Sequence, residues 1–437
     1  MSLNMVALIG IVVLLVLMFL GMNIGISMLL VGFFGYAYVV NFNAAIGVLA
    51  TVPTTQASTY SLTVIPLFVL MGNFAFASGM SSGLYDAGHK ILSRLPGGLA
   101  CASVGISTVF GAVCGSTQAT CATVGTIAIP EMRKYGYDDK LSCGSVSVGG
   151  TLGIMIPPSS PMIVYCLLAT ESVGCMFAAG ILPGIIEAVL CMALIVVMVK
   201  VRPALVAGNE HYTLREMLRS LKGLIPIAIL FLCVFVGMFT GVFTVNESAA
   251  IGAFVAFLMM IILRKFTWKA FFAAMKDTVK TTSMTYLILI GAVVFGNFLT
   301  ITNMPMNLAN MIASMNVSRY VILLFIVLIY AAMGCLMDAL PMMMLTVPIF
   351  LPIITELGFA PIWFGGLIIM VMQMALITPP VGSACYVISG IAKDVPLTRI
   401  FSGAVPFVLA LVGAIIVITI FPDIALVIPR AFYGYSG

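Results

Sequence analysis

Charge is what this sequence lacks most. Of 437 residues only 8% are Asp, Glu, Lys or Arg, against about a quarter in an ordinary soluble domain. Such a chain cannot cover a soluble fold with water-facing side chains, so it is a polytopic membrane protein. Histidine is nearly absent: His89 and His211 are the only two. A Ser/His hydrolase needs an imidazole beside its nucleophile, and both histidines fall in segments that read as cytoplasmic. Clustered metal ligands are missing too, and no G-x-x-x-x-G-K-[ST] run is present to cradle a nucleotide phosphate. The chain therefore reads as a non-enzyme with no cofactor, and nothing points to nucleic acid. Ten cysteines occur without a C-x-x-C pair and read as small buried hydrophobes. The N-terminus has no basic region before its apolar run, so Val6–Leu20 reads as a span and not a cleaved signal peptide.

Hydrophobic residues make up 62% of the chain, and mean hydropathy is +1.23. The apolar runs are continuous and near the ~20 residues a bilayer requires. A barrel would show short alternating segments, so the fold is all-helical. Spans fit near 5–20, 24–40, 62–78, 142–168 and 174–199, then near 223–240, 246–263, 284–301, 361–388 and 402–422.

These two sets repeat one another. "IPP" at Ile156–Pro158 and "TPP" at Thr378–Pro380 lie 222 positions apart, as do Pro130 and Pro352. "GNF" recurs at Gly72–Phe74 and Gly296–Phe298, an offset of 224. The order and spacing of the matches indicate two repeats, 1–202 and 223–437, joined by a polar linker at 203–222. Within each repeat a small-residue apolar stretch reads as a re-entrant hairpin, about 98–134 and about 319–356. Each repeat then has five crossings. An odd number requires the two repeats to be inverted in the membrane. With both termini outside, 17 of the 19 Lys and Arg fall on the cytoplasmic side, leaving only Arg319 and Arg430 outside; this bias fixes the orientation.

Two spans carry prolines near their middles. Pro157 and Pro158 interrupt the first, with Ser159 and Ser160 beside them; Pro379 and Pro380 interrupt the second, between Thr378 and Gly382. A lipid-facing break would strand backbone polar groups at several kcal/mol each. Matching breaks in inverted repeats instead point to a shared site near the midplane. Half-helix N-termini suit an anion, and freed carbonyls and hydroxyls suit a hard cation such as Na⁺. The first hairpin tip is "GAVCGSTQAT" (Gly111–Thr120), with Ser116, Thr117, Gln118 and Thr120; the second is "GCLMDALP" (Gly334–Pro341), with Asp338 opposite Ser116 in the repeat. A carboxylate at membrane depth marks function, although Asp338 could also cap a helix at the turn. Glu187 lies mid-span, where it would face a partner subunit or pair with a polar neighbour. Glu247 sits where a first-turn acid complements a helix dipole. Ser81–Leu95, Asn303–Met315 and Trp268–Lys280 are amphipathic and can lie along the interface or brace moving parts.

The order hairpin, "GIMIPPS" (Gly153–Ser159), repeat, acidic hairpin, "LITPPVG" (Leu376–Gly382), together with "IPLFVLMGNF" (Ile65–Phe74), resembles the large membrane subunit of the TRAP (tripartite ATP-independent periplasmic) transporters, DctM-like, over essentially the whole chain. The family's first hairpin usually reads close to G-S-S-x-A-T. Here it is "GSTQAT" (Gly115–Thr120), in which Thr117 and Gln118 keep polar character. The resemblance implies an elevator: both hairpins, 142–168 and 361–388 move as a transport block against a scaffold of the remaining spans. It implies Na⁺-coupled uptake of organic acids, often dicarboxylates, sugar acids or sialic acid, across a bacterial inner membrane. It also implies a small four-span membrane subunit, expected here as a separate polypeptide, and a soluble periplasmic substrate-binding protein.

The expected Na⁺ ligands are Gly115, Ser116, Thr117, Gly334, Met337, Asp338, Thr378, Pro379 and Gly382. The expected substrate contacts are Gln118, Thr120, Pro157, Pro158, Ser159, Ser160 and Pro380. The alternative is a stand-alone anion:Na⁺ or anion:H⁺ symporter of the wider ion-transporter group. Hairpins of that group favour S-N-T motifs, which both tips lack.

Overall fold

The computed structural model describes residues 2–206, 212–314, 317–335 and 337–436. His211, part of the linker, Met315 and one residue of the second tip lie outside them. Among the described residues the chain is helical throughout, and Tyr137 and Val206 form an isolated β-bridge.

Four helices open the chain: α1 (Leu3–Phe19), α2 (Ile24–Val39), α3 (Phe42–Ser58) and α4 (Val64–Ala77). The amphipathic α5 (Met80–Leu92) leads into a hairpin of α6 (Gly98–Cys114) and α7 (Thr117–Lys134). Next come α8 (Asp139–Leu152), α9 (Ser160–Ala169) and α10 (Val173–Val201). After the linker, α11 (Leu214–Ser220), α12 (Ile225–Phe239), α13 (Val245–Ile262) and α14 (Trp268–Ile301) precede the amphipathic α15 (Met304–Ser314). A second hairpin, α16 (Arg319–Gly334) and α17 (Ala339–Glu356), is followed by α18 (Pro361–Leu376), α19 (Ser383–Ile391), α20 (Leu397–Ile420) and α21 (Asp423–Tyr433). Among the described residues seven helical stretches are long and apolar enough to cross a membrane, including Val173–Val201, Trp268–Ile301 and Leu397–Ile420.

Three features of the fold differ from what the sequence predicts. The span expected at 284–301 begins at Trp268, so the amphipathic stretch there is the first half of one 34-residue helix. No proline or glycine interrupts it before Gly291, and Thr267 Oγ1 caps it by accepting from Ala270 N at 3.1 Å. Second, α3 and α21 form where no element was expected; α3 starts from Asn41, whose Oδ1 accepts from Ala44 N at 2.7 Å. Third, α10 and α20 were expected with the scaffold. They pack instead with the hairpins and broken helices: α10 on α6, α9 and α18, and α20 on α8, α18 and α19.

Packing falls into two groups. In one, α2 lies on α14 and α4 on α13, with α1 and α12 outside them. Small residues permit the close α2/α14 crossing, because a Cβ at Gly25 or Gly32 would run into the α14 backbone. This is how membrane helices associate without a water-driven hydrophobic effect. Asn73 Nδ2 on α4 donates to Thr278 Oγ1 on α14 at 2.8 Å, adding a polar tie. In the other group, α8 packs on α6, α7 and α20, and α18 on α16, α17 and α10. The halves interlock here, with α9 against α17 and α19 against α7. The amphipathic helices bridge the groups, α5 touching α4, α6 and α7, and α15 touching α1, α14 and α17. Glu247 occupies a capping box at the start of α13, its Oε2 accepting from Thr244 N at 2.8 Å.

Candidate functional site

Both proline pairs stop their helices. Proline lacks the N–H that would continue the ladder and its ring clashes with the preceding turn. After α8 the chain makes one further turn, Met155 N donating to Leu152 O at 3.1 Å, and then Pro157–Pro158 carries it to Ser159, where α9 starts. After α18 the chain passes Thr378 and Pro379–Pro380 to Gly382, where α19 starts. Both Pro–Pro bonds are cis.

The first tip turns at Gly115, whose φ of +61° favours glycine. Ser116 follows as the N-cap of α7, its Oγ accepting from Ala119 N at 3.4 Å. The tip lies against its own break: a Cβ on Gly115 would sit 3.5 Å from Ser160 Oγ and 3.7 Å from the Pro158 carbonyl. In the second half, Val381 N donates to Cys335 O at 3.2 Å, tying the second break to the second tip. Gly382, also left-handed at φ +43°, is backed by the Phe401 ring.

Asp338 joins these parts. It occupies the N-cap position of α17, yet its carboxylate caps nothing. Oδ2 accepts from Gln118 Nε2 at 2.9 Å and Oδ1 accepts from Ser383 Oγ at 3.0 Å. One carboxylate thus links the first tip, the second tip and the second break. The capping role allowed by the sequence is not the one the side chain takes.

The helix ends add a pattern of polarity. α7, α9, α17 and α19 all begin at these tips and breaks, while α6, α8, α16 and α18 all end there. Beginnings present N–H groups and partial positive charge, and endings present carbonyls. The region can therefore meet an anion and a cation together. Among the described residues no lysine or arginine takes part in the contacts at Asp338.

The expected residues divide. Gly115, Ser116, Gln118, Ser160, Asp338 and Gly382 come together at the tips and breaks. Thr120 is fully buried and its hydroxyl donates back to Ser116 O at 2.8 Å, so it braces the tip from within α7. Thr117 is buried too. The Thr378 hydroxyl is likewise engaged, on Met374 O at 2.7 Å. Pro157, Pro158 and Ser159 are buried, and Ser159 Oγ has no partner. Pro379 and Pro380 are exposed, as are Gln118 and Asp338. Gly334 is packed under Ala375 and Met342, and Met337 is half-buried. Ser383 was missed; its signal was a hydroxyl at the first residue of a half-helix, directly after the break glycine. Glu187 is fully buried inside the chain and does not face outward.

Residues 11–424 match the family described as "Tripartite ATP-independent periplasmic transporter, DctM component". The chain is 32% identical, over 85% of its own length and 86% of the relative's, to the C4-dicarboxylate TRAP transporter large permease protein DctM of Pseudomonas aeruginosa. It is 27% identical to the sialic acid TRAP transporter large permease protein SiaM of Vibrio cholerae, over 96% and 97% of the two chains. Among solved structures, the YdaH transporter of Alcanivorax borkumensis superposes with a TM-score of 0.61 at 17% identity, covering 88% of this chain and 90% of that one. These likenesses agree with the all-helical multi-span fold, and the chain belongs to the DctM family of large permease subunits of TRAP transporters, which are transporters and not enzymes.

Proposed function

We propose that the chain imports an organic carboxylate together with Na⁺, at a site made by the two hairpin tips and the two helix breaks. The observation that carries this reading is the Asp338 carboxylate, held by Gln118 of the first tip at 2.9 Å and Ser383 of the second break at 3.0 Å. A carboxylate among helix-end carbonyls and hydroxyls is the oxygen-rich surrounding that a hard cation takes. The beginnings of α7 and α19 stand beside it and supply the polarity an anion needs where no basic side chain does.

The movement is an elevator step. The hairpins, the broken helices, α10 and α20 form the moving block, and α1–α4 with α12–α14 form the scaffold. The amphipathic α5 and α15, which touch both groups, are its arms. The two halves, 1–202 and 223–437, are inverted repeats with both termini in the periplasm of a bacterial inner membrane; the distribution of Lys and Arg supports this orientation. As in the family generally, the chain works with a small membrane subunit and a periplasmic binding protein. The names of its relatives support a carboxylate cargo of the dicarboxylate or sugar-acid class.

Reconstitution with both partners in vesicles tests the reading. A Na⁺ gradient should drive uptake of a labelled organic acid. Uptake driven by a proton gradient alone, unchanged when Na⁺ is removed, contradicts the coupling. Full uptake without either partner favours a stand-alone symporter instead.

A further inference from the structure

Glu187 has no part in the site just described. It lies on α10, fully buried, with neither carboxyl oxygen in a hydrogen bond. One turn before it, Gly184 packs against Ile156 and Met155 at the edge of the first break. One turn after it, Cys191 is fully buried. The neighbouring α6 is fastened to α10 just beyond, where Cys101 Sγ donates to Met192 O at 3.7 Å. α18, which also packs on α10, buries a second polar side chain without partners, the Gln373 amide.

Among the described residues no charge is placed to hold an ionised Glu187. α10 is packed by α6, α8, α9, α18, α20 and α21. Their titratable groups are Cys101 and Cys114 on α6, Asp139, Lys140 and Cys143 on α8, and Tyr165 and Cys166 on α9. α18 has none, α20 has Arg399, and α21 has Asp423, Arg430 and Tyr433. α10 itself carries Cys175, Cys191 and Lys200. None of the acids or bases forms an ion pair with Glu187; those of Asp139, Arg399, Asp423 and Arg430 are with other residues. A lone carboxylate in such surroundings is strongly disfavoured. A neutral acid avoids that, yet its O–H still lacks an acceptor. Buried polar groups are nearly always partnered, so an orphan pair on two packed helices asks for a role beyond packing.

We propose that Glu187 is a proton-binding site of the moving block, occupied in this arrangement and emptied when the packing of α10 against α6 and α18, which lies inside that block, loosens during the transport cycle. The acid's O–H bond breaks, the electron pair stays on the carboxylate, and the proton passes to water; rebinding reverses the step. The transport consequence rests on the transport function proposed above, whereas the protonation state does not.

The test therefore has two arms. Infrared spectra of the purified chain, from about pH 6 to about pH 9, cover a range in which exposed carboxyls are ionised. A carbonyl band of a protonated acid should persist throughout and vanish in Glu187→Gln. Absence of that band in the wild type, or its survival in Glu187→Gln, overturns the proposal. In vesicles with partners, wild-type uptake should vary with pH and carry protons inward, while Glu187→Gln should lose both the pH dependence and the proton movement. A wild type without proton movement, or a variant that keeps it, overturns the transport role. Because glutamine matches a neutral acid in shape and charge, it should leave folding unchanged; if it does not, the wild-type band and proton flux still decide.

Discussion

Gln118 Nε2 donates to Asp338 Oδ2 at 2.9 Å, and the two residues stand 220 positions apart in the chain. The bond ties the tip of one hairpin to the tip of the other. Removing the Asp338 charge while keeping its size isolates what that charge does. Asp338→Asn should weaken apparent Na⁺ affinity in uptake at least tenfold, about 1.4 kcal/mol. Its melting temperature should stay unchanged, because Asp338 is exposed and caps no helix. A Na⁺ titration of uptake beside a thermal melt checks both.

Gln118→Glu replaces the donor by a second carboxylate. Two acids at hydrogen-bond distance share a proton, raising the titration of one of them. Uptake should fall sharply at neutral pH, and the deficit relative to wild type should narrow as the pH is lowered. Parallel pH profiles of the two proteins make the comparison.

Ser116→Ala removes both a tip hydroxyl and a cap. The Ser116 Oγ accepts from Ala119 N at 3.4 Å, and such caps contribute about 1 kcal/mol. A modest fall in melting temperature should accompany a weaker Na⁺ response. An unchanged Na⁺ response would remove Ser116 from the site.

At the far end of α7, Arg133 binds Asp139 through Nε and Asp394 through Nη2, both at 2.8 Å. The hydrogen bond from Arg133 holds the Asp394 carboxyl below its ordinary value. A depressed acid adds stability above its unfolded pKa, about 3.9, and loses it as the pH falls through the lower folded value. The stability difference between wild type and Asp394→Asn should thus be present at neutral pH and vanish in acid. Because Asp394 is exposed, the difference should be small and should shrink in salt. Melting curves across pH and salt report it.

Much of this fold was legible because the bilayer imposes it. Spans showed as apolar runs, and the prolines at 157, 158, 379 and 380 announced the breaks through chemistry that does not depend on context. Asp338 stood out because a carboxylate is rare at that depth. Other features needed three dimensions. Nothing in "VGSACY" shows that the Ser383 hydroxyl meets Asp338, 45 positions away. Thr120 and Thr378 stand out by residue type, but sequence spacing does not show that each hydroxyl donates its proton to its own helix. The placement of α10 and α20 with the broken helices depends on which faces meet, and spans that are apolar all round do not declare a face.

The central claim is that the two tips meet. Cysteine pairs introduced as Gln118→Cys with Asp338→Cys, in a background without reactive native thiols, test it in intact membranes under mild oxidation. Rapid formation of an intramolecular 118–338 bridge, reversed by reductant, is the expected result. No bridge at all, or bridging no faster than for a distant control pair, would contradict the account.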